Sequence, residues 1–368
     1  MTELTLTLAP AALAVTWPGG DRQDYPLIWL RDNDPTPARF HPDTHERTGD
    51  LLDIPALPEA RDAEFASDTL VINWTDGGES RYPLAWLAAN RPGRASDDPA
   101  SLAPQSWRCD LDVPRHDARG VLHDDTALLA WLKDTAATGL SILENVAAED
   151  GAGLALAKRV GFLRQTNFGV SFEVVNKPDP NNLAYTALPL PLHTDLPNQE
   201  LPPGYQFLHC IANEATGGGS LFADGVAMAD ALRAADPEAF HLLAEVPIPF
   251  RFHDGETDLR IHRTVLNLRA DGSVHEVKWN AHIAGAFDMA PDLIQPYYDA
   301  YRAFMALARD QAFQVQLKLA SGEMVVFDNR RVLHGREAFD PSTGFRHLQG
   351  CYVDRGEFLA RIRVLSRH

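Results

Sequence analysis

His193 and Asp195 stand two residues apart at the end of the apolar run Pro191-Leu192-His193-Thr194-Asp195-Leu196-Pro197 and offer one imidazole and one carboxylate. On a β-strand, positions i and i+2 point the same way, so both side chains face one pocket. Such a pair is two-thirds of a 2-His-1-carboxylate site, which holds Fe(II) on one face of its octahedron and leaves positions open for co-substrate and O2. The third ligand expected is His334, 141 residues downstream, at the end of the strand-like run from Val325 and followed by Gly335. Twelve residues further on stands Arg346, whose guanidinium suits bidentate pairing with a carboxylate of a metal-bound co-substrate. His-x-Asp alone is weak; strand context, a distal His-Gly and the arginine at +12 make independent features agree.

These residues need strands to carry them and helices to cover the strands. Acidic Asp124-Asp125, a stripe of Leu128, Leu129 and Leu132, and a stop at Gly139 predict a helix. Ser141–Glu144 then reads as a strand, and Leu156, Val160 and Leu163 have the spacing of a helix face. Asp236-Pro237 opens a helix through Leu243, and Tyr297, Tyr301 and Phe304 mark another. Phe313, Val315, Leu317 and Leu319 alternate as a strand. Short strands with a few peripheral helices fit a mainly β fold, the double-stranded β-helix or jelly roll that supports cupin-type metal sites. Toward the N-terminus, Leu4, Leu6 and Leu8, then Ala14–Trp17 before Pro18-Gly19-Gly20, and Leu70–Trp74 before Asp76-Gly77-Gly78 predict a small β-rich domain. No internal repeat is evident. The stretch Phe358–Leu365 is expected to form a helix that packs on a second subunit.

A chain of 368 residues makes two domains the natural expectation. Its 33 basic against 51 acidic side chains give a net charge of −18, which argues against nucleic acid as a partner. Cys109, Cys210 and Cys351 are scattered and odd in number, so neither a disulfide framework nor a Cys-x-x-Cys site is indicated. No signal-peptide pattern and no run of about 18 apolar residues is present. A cytoplasmic protein with no membrane contact is expected.

The chain resembles the γ-butyrobetaine hydroxylase family of Fe(II)/2-oxoglutarate oxygenases, related to trimethyllysine hydroxylase. The segments that carry the resemblance include Asn182–Thr186, Leu192–Asp195, Pro202-Pro203-Gly204, Leu208-His209-Cys210, Thr216-Gly217-Gly218, Asp224-Gly225, Phe327-Asp328-Asn329, Leu333–Arg336 and Arg346-His347-Leu348. Ile28–Asn33 resembles the small domain that accompanies this family. The resemblance implies a small N-terminal domain over 1–95, a linker over 96–115 and the oxygenase domain over 116–368. It further implies that 2-oxoglutarate chelates the iron and sets its far carboxylate against Arg346, with Asn182 near it, Leu208 as an apolar wall and Arg336 adding charge. Decarboxylation with O2 would then yield succinate and CO2 and hydroxylate a C–H bond. A homodimer is expected on the same ground. Relatives bind a structural zinc in the small domain, but here Asp34, Thr36, Arg39 and Gly77-Gly78-Glu79 fill those places, so no zinc is expected.

For the substrate, the resemblance implies an aromatic cage around a trimethylammonium group. It places Phe168, Phe172, Tyr185, Leu196 and Tyr352 there, with only two tyrosines kept and Leu196 offering no π face. Paired asparagines near the substrate carboxylate become Asn280 and Ala281, so His282 is an alternative holder of the acid end. The expected reaction is hydroxylation of a small quaternary-ammonium acid, with γ-butyrobetaine to L-carnitine the best single reading. Trimethylaminoethylphosphonate, trimethyllysine or another amine are alternatives, as is a catalytically silent metal-dependent binding protein. A Zn or Mn cupin isomerase would instead act without O2.

Overall fold

The computed structural model describes residues 4–36, 39–94, 97–176 and 185–367. It divides into two compact units, Met1–Asp98 and Pro99–His368.

The first unit is built twice from one plan. Thr5–Leu8, Ala12–Thr16 and Arg22–Pro26 form an antiparallel sheet that runs into the helix Leu27–Asp32. Ala60–Ala66, Thr69–Trp74 and Glu79–Pro83 do the same before the helix Leu84–Ala89. Each helix starts directly after a proline, whose fixed φ suits the turn from strand to helix. The expectation of no internal repeat is therefore overturned. Tyr25-Pro26-Leu27-x-Trp29-Leu30-x-x-Asn33 matches Tyr82-Pro83-Leu84-x-Trp86-Leu87-x-x-Asn90. The contacts are reciprocal as well: the Tyr25 hydroxyl donates to the Leu87 carbonyl at 2.8 Å, and the Tyr82 hydroxyl to the Leu30 carbonyl at 2.6 Å. Trp29 and Trp86 meet between them with ring centroids 5.5 Å apart. Asp34 is buried and accepts the Ser80 hydroxyl and the Thr36 N–H, while Trp74 Nε1 donates to Ser80.

In the second unit two sheets face one another. One has four antiparallel strands in the order Leu190–His193, Val332–Arg336, Ser220–Asp224, Gln314–Leu317. The other has six, Arg115–Asp117, Leu140–Glu144, Met324–Asp328, Tyr205–Asn213, Arg346–Val353 and Ser171–Val174, with only the first pair parallel. Ile142, Phe222, Val315, Val325, Phe327 and Leu348 fill the space between them, which is the jelly-roll core. Trp107 closes one end of it, with Nε1 on the Thr138 carbonyl at 2.7 Å.

Helices cover both outer faces. Asp125–Thr138 begins on the Asp124 cap and ends at Gly139, whose φ of 76° is the left-handed conformation that stops a helix. With Ala152–Val160 and Arg355–Leu365 it packs on the six-stranded sheet through Trp131, Leu156, Phe358 and Ile362. The C-terminal helix buries Phe358 and Ile362 within this chain and leaves Val364 exposed. Leu163 lies beyond its predicted helix and bridges to Val353 instead. An excursion from Gly225 to Arg309, with the helices Gly225–Ala235, Pro237–Glu245 and Pro291–Arg309, buries Phe240, Trp279 and Phe304 against the four-stranded sheet. Phe313 falls in a 3-10 turn ahead of the strand Gln314–Leu317. Among the described residues, no helix is long and apolar enough to cross a membrane.

Candidate metal centre and its clefts

His193 ends its strand and pairs across the sheet with His334, so two imidazoles come from directly opposed positions with ring centroids 4.3 Å apart. His334 sits in the middle of its own strand, not at the end of the Val325 run. A tight turn at Asn329-Arg330-Arg331 divides that run into two strands belonging to different sheets. Asp195 lies two residues past its strand, yet it is directed to the same point by backbone contacts. Its N–H donates to Asn329 Oδ1 at 2.6 Å, and Asn329 Nδ2 returns to the Asp195 carbonyl at 3.0 Å. Thr194 is locked to the main chain of Trp279. Leu196, with a φ of 55°, then turns the chain through a conformation that a branched side chain rarely adopts.

His193, Asp195 and His334 present ligand atoms that all lie within 4.8 Å of one another; among the described residues no other group of this kind occurs. His193 Nδ1 lies 2.9 Å from the Pro191 carbonyl, which can only accept, so that nitrogen carries a proton and Nε2 is the atom turned to the site. Nε2 faces Asp195 Oδ1 at 3.2 Å, and His334 Nε2 is 3.6 Å from the same oxygen. Burial, with His193 beside it, pushes the His334 pKa down to about 3, so the ring is neutral at pH 7. Burial opposes the Asp195 charge, but the facing imidazoles and the Tyr352 hydroxyl outweigh it and hold the carboxyl below its ordinary range. Two imidazole nitrogens and a carboxylate oxygen thus converge on one buried point. The donor set fits a divalent iron, with a backbone carbonyl orienting one histidine from behind.

Two cavities adjoin this point. The inner one, about 80 Å³, is lined by Leu208, Phe222, Arg336, Arg346 and Leu348 together with the triad. Arg346 is buried, and no ion pair or hydrogen bond engages its guanidinium among the described residues, its one ring contact being Phe339 at 5.5 Å. Arg336 donates to the carbonyls of Thr186 and Leu188. Burial, and then the charge of Arg346, lower its pKa to about 10. Two cations packed this closely in a small cavity are complementary to an anion.

The outer cleft, about 360 Å³, brings together the predicted Phe168, Phe172, Tyr185, Leu196, Asn280, His282 and Tyr352. Phe172 and Tyr352 lie with ring centroids 5.2 Å apart. Asn280 turns its amide inward, Nδ2 to the Thr194 carbonyl at 3.2 Å and Oδ1 to the His282 N–H at 3.1 Å. Ala281 faces away from this cleft. Burial, and then His193, lower the His282 pKa. Asn182 falls outside the described residues. Sequence reasoning does not find Phe252, which stacks edge-on against Phe168 at 5.4 Å from the strand Ile248–His253, nor Asn329, nor the Tyr352 bond to Asp195. The only sequence signal for Phe252 is the alternation of its own strand.

Residues 110–352 match the model of the taurine catabolism dioxygenase TauD, TfdA family, and residues 5–88 match that of the gamma-butyrobetaine hydroxylase-like N-terminal domain. The chain is 42% identical over 361 residues to the gamma-butyrobetaine dioxygenase of Pseudomonas sp. (strain AK-1), covering 97% of this chain and 94% of that one. It is 30% identical to the human gamma-butyrobetaine dioxygenase, over 96% of this chain and 94% of the other. An asparagine oxygenase solved with Fe(II), 3-hydroxyasparagine and succinate shares the fold at a TM-score of 0.50 and 19% identity, over 64% of this chain and 82% of that one. The chain therefore belongs to the gamma-butyrobetaine hydroxylase family of TauD-type enzymes and is an Fe(II)- and 2-oxoglutarate-dependent dioxygenase.

Proposed function

We propose that the protein hydroxylates an aliphatic C–H bond of a small quaternary-ammonium acid, with γ-butyrobetaine converted to L-carnitine as the leading reading. Identity of 42% to a gamma-butyrobetaine dioxygenase over nearly the whole chain supports the substrate. In this reading His193, Asp195 and His334 hold the iron. The metal, when bound with 2-oxoglutarate and O2, supplies the oxidation of the C–H bond. The protein's own part is orientation. Arg346 pairs with the far carboxylate of 2-oxoglutarate, Arg336 adds positive charge, and Leu208 keeps water off the chain between them. Phe168, Phe172, Tyr185 and Tyr352 surround the trimethylammonium group, Leu196 closes the cage by contact alone, and Asn280 and His282 stand toward the acid end. The resemblance assigns Asn182 to the co-substrate as well.

The observation that carries the reading is Arg346. Burying a guanidinium without an acidic partner is costly, and a dianionic co-substrate reaching in from the triad would neutralise it. A homodimer in the cytoplasm, with no nucleic-acid or membrane partner and no structural zinc, completes the proposal. Its support is the charge of −18, the scattered cysteines and the resemblance. The test is a panel of γ-butyrobetaine, trimethylaminoethylphosphonate and trimethyllysine scored by substrate-dependent succinate formation. γ-Butyrobetaine is expected to accelerate turnover most; faster turnover with another compound and none with γ-butyrobetaine would overturn the substrate.

A further inference from the structure

The two oxygens of the Asp195 carboxylate face different partners. Oδ1 points between the histidines, 3.2 Å from His193 Nε2 and 3.6 Å from His334 Nε2. Oδ2 accepts the Tyr352 hydroxyl at 2.6 Å. A carboxylate only accepts, so the phenol is the donor, and a short O–H···O⁻ bond is among the stronger neutral-to-charged contacts. The backbone of Asp195 is already held by Asn329. What remains free without the phenol is rotation of the carboxylate about its own side-chain bonds.

That rotation has a chemical consequence. A carboxylate with both oxygens free can chelate through both and take an extra coordination position, whereas this class of site works by keeping positions open. We propose that Tyr352 is a positioning residue for the metal centre: its hydroxyl retains Oδ2 so that Asp195 binds through Oδ1 alone, which reserves a coordination position for the co-substrate. The same side chain has a second use, because its ring walls the outer cleft beside Phe172. Hydroxyl and ring are therefore separable by substitution. The inference rests on the ligand assignment of the preceding section and adds to it a residue that acts through Asp195.

The variant Tyr352→Phe keeps the ring and removes the bond. Co(II) titrated into the metal-free protein without O2 reads the site independently of turnover. The expected result is a metal affinity lower by about tenfold, as for other groups that orient a ligand from behind. A changed Co(II) visible spectrum and weaker 2-oxoglutarate binding to the Co(II) protein should accompany it. Phe172→Leu serves as the baseline, since that ring does not touch Asp195; it should weaken γ-butyrobetaine binding and leave the spectrum unmoved. An unchanged Co(II) affinity and spectrum in Tyr352→Phe, or an equal spectral change in Phe172→Leu, overturns the proposal. His193→Ala tests the ligand assignment separately. If that variant still binds Co(II) like wild type, the assignment itself is wrong, whatever Tyr352→Phe does.

Discussion

Asn329 grips Asp195 by the main chain on both sides of the residue, accepting from its N–H at 2.6 Å and donating to its carbonyl at 3.0 Å, across 134 residues of sequence. The same amide also donates to the Pro203 carbonyl at 3.2 Å. Asn329→Ala strands these buried groups, and each lost partner costs about 1–3 kcal/mol. A lowered urea midpoint together with weakened Co(II) binding is expected. Weakened stability with unchanged metal affinity would show that Asn329 supports the turn but not the ligand.

Arg346 is expected to set the Michaelis constant for 2-oxoglutarate. Arg346→Lys keeps the charge and loses the two-pronged geometry, raising that constant roughly tenfold, and Arg346→Met raises it roughly a hundredfold. Steady-state assays with 2-oxoglutarate varied at saturating γ-butyrobetaine check this. Equal constants for all three proteins would remove Arg346 from the co-substrate pocket.

Gly350 lies in register between Leu208 on one neighbouring strand and Phe172 on the other. A Cβ there would meet the Phe172 ring at 2.4 Å and Leu208 Cδ2 at 3.0 Å, so the glycine is what lets that ring lie across the strand. Gly350→Ala should displace Phe172, at a cost of about 1–3 kcal/mol. Weaker γ-butyrobetaine binding with unaltered Co(II) affinity is expected by calorimetry. Adding Phe172→Leu should recover the lost thermal stability.

Glu276 anchors the Asn329–Arg331 turn from below, 2.9 Å from Arg330 and 2.8 Å from Lys278, while Arg355 bridges to Asp328 at 2.7 Å. Burial opposes the Glu276 charge, but Lys278, Arg330 and Arg355 together hold its pKa at about 2 against an ordinary 4.5. Because the folded value is the lower one, the stabilisation is complete above about pH 4.5 and is lost as the pH falls toward 2. Its size is roughly 3 kcal/mol at most. Urea midpoints of the wild type should fall over that window more steeply than those of Glu276→Gln; parallel curves would refute the assignment.

The triad and its arginine are legible in the sequence because their chemistry leaves short signatures: His-x-Asp after an apolar run, His-Gly, and an arginine twelve residues on. The helices are legible where caps and stripes coincide, as at Asp124 and Gly139. Asn329 is not, because its role exists only once a turn between two sheets brings it beneath Asp195. The twofold plan of the N-terminal unit is present in the letters of Tyr25–Asn33 and Tyr82–Asn90. It is diluted by 48 intervening positions and becomes plain only through the exchanged tyrosine bonds. The face of the C-terminal helix is ambiguous for a similar reason, since an apolar stripe names a need for cover without naming what covers it.

His193 and His334 are opposed in register, and the turn that leads into the His334 strand is three residues long, Asn329-Arg330-Arg331. Sliding one strand by a single residue would bring Leu333 round to where the imidazole belongs. Length is therefore policed unevenly along the chain. The helical stretch from Gly225 to Glu245 carries none of the site's residues and has room to gain or shed residues, whereas one added residue in the little turn would displace the His334 strand and dismantle the centre.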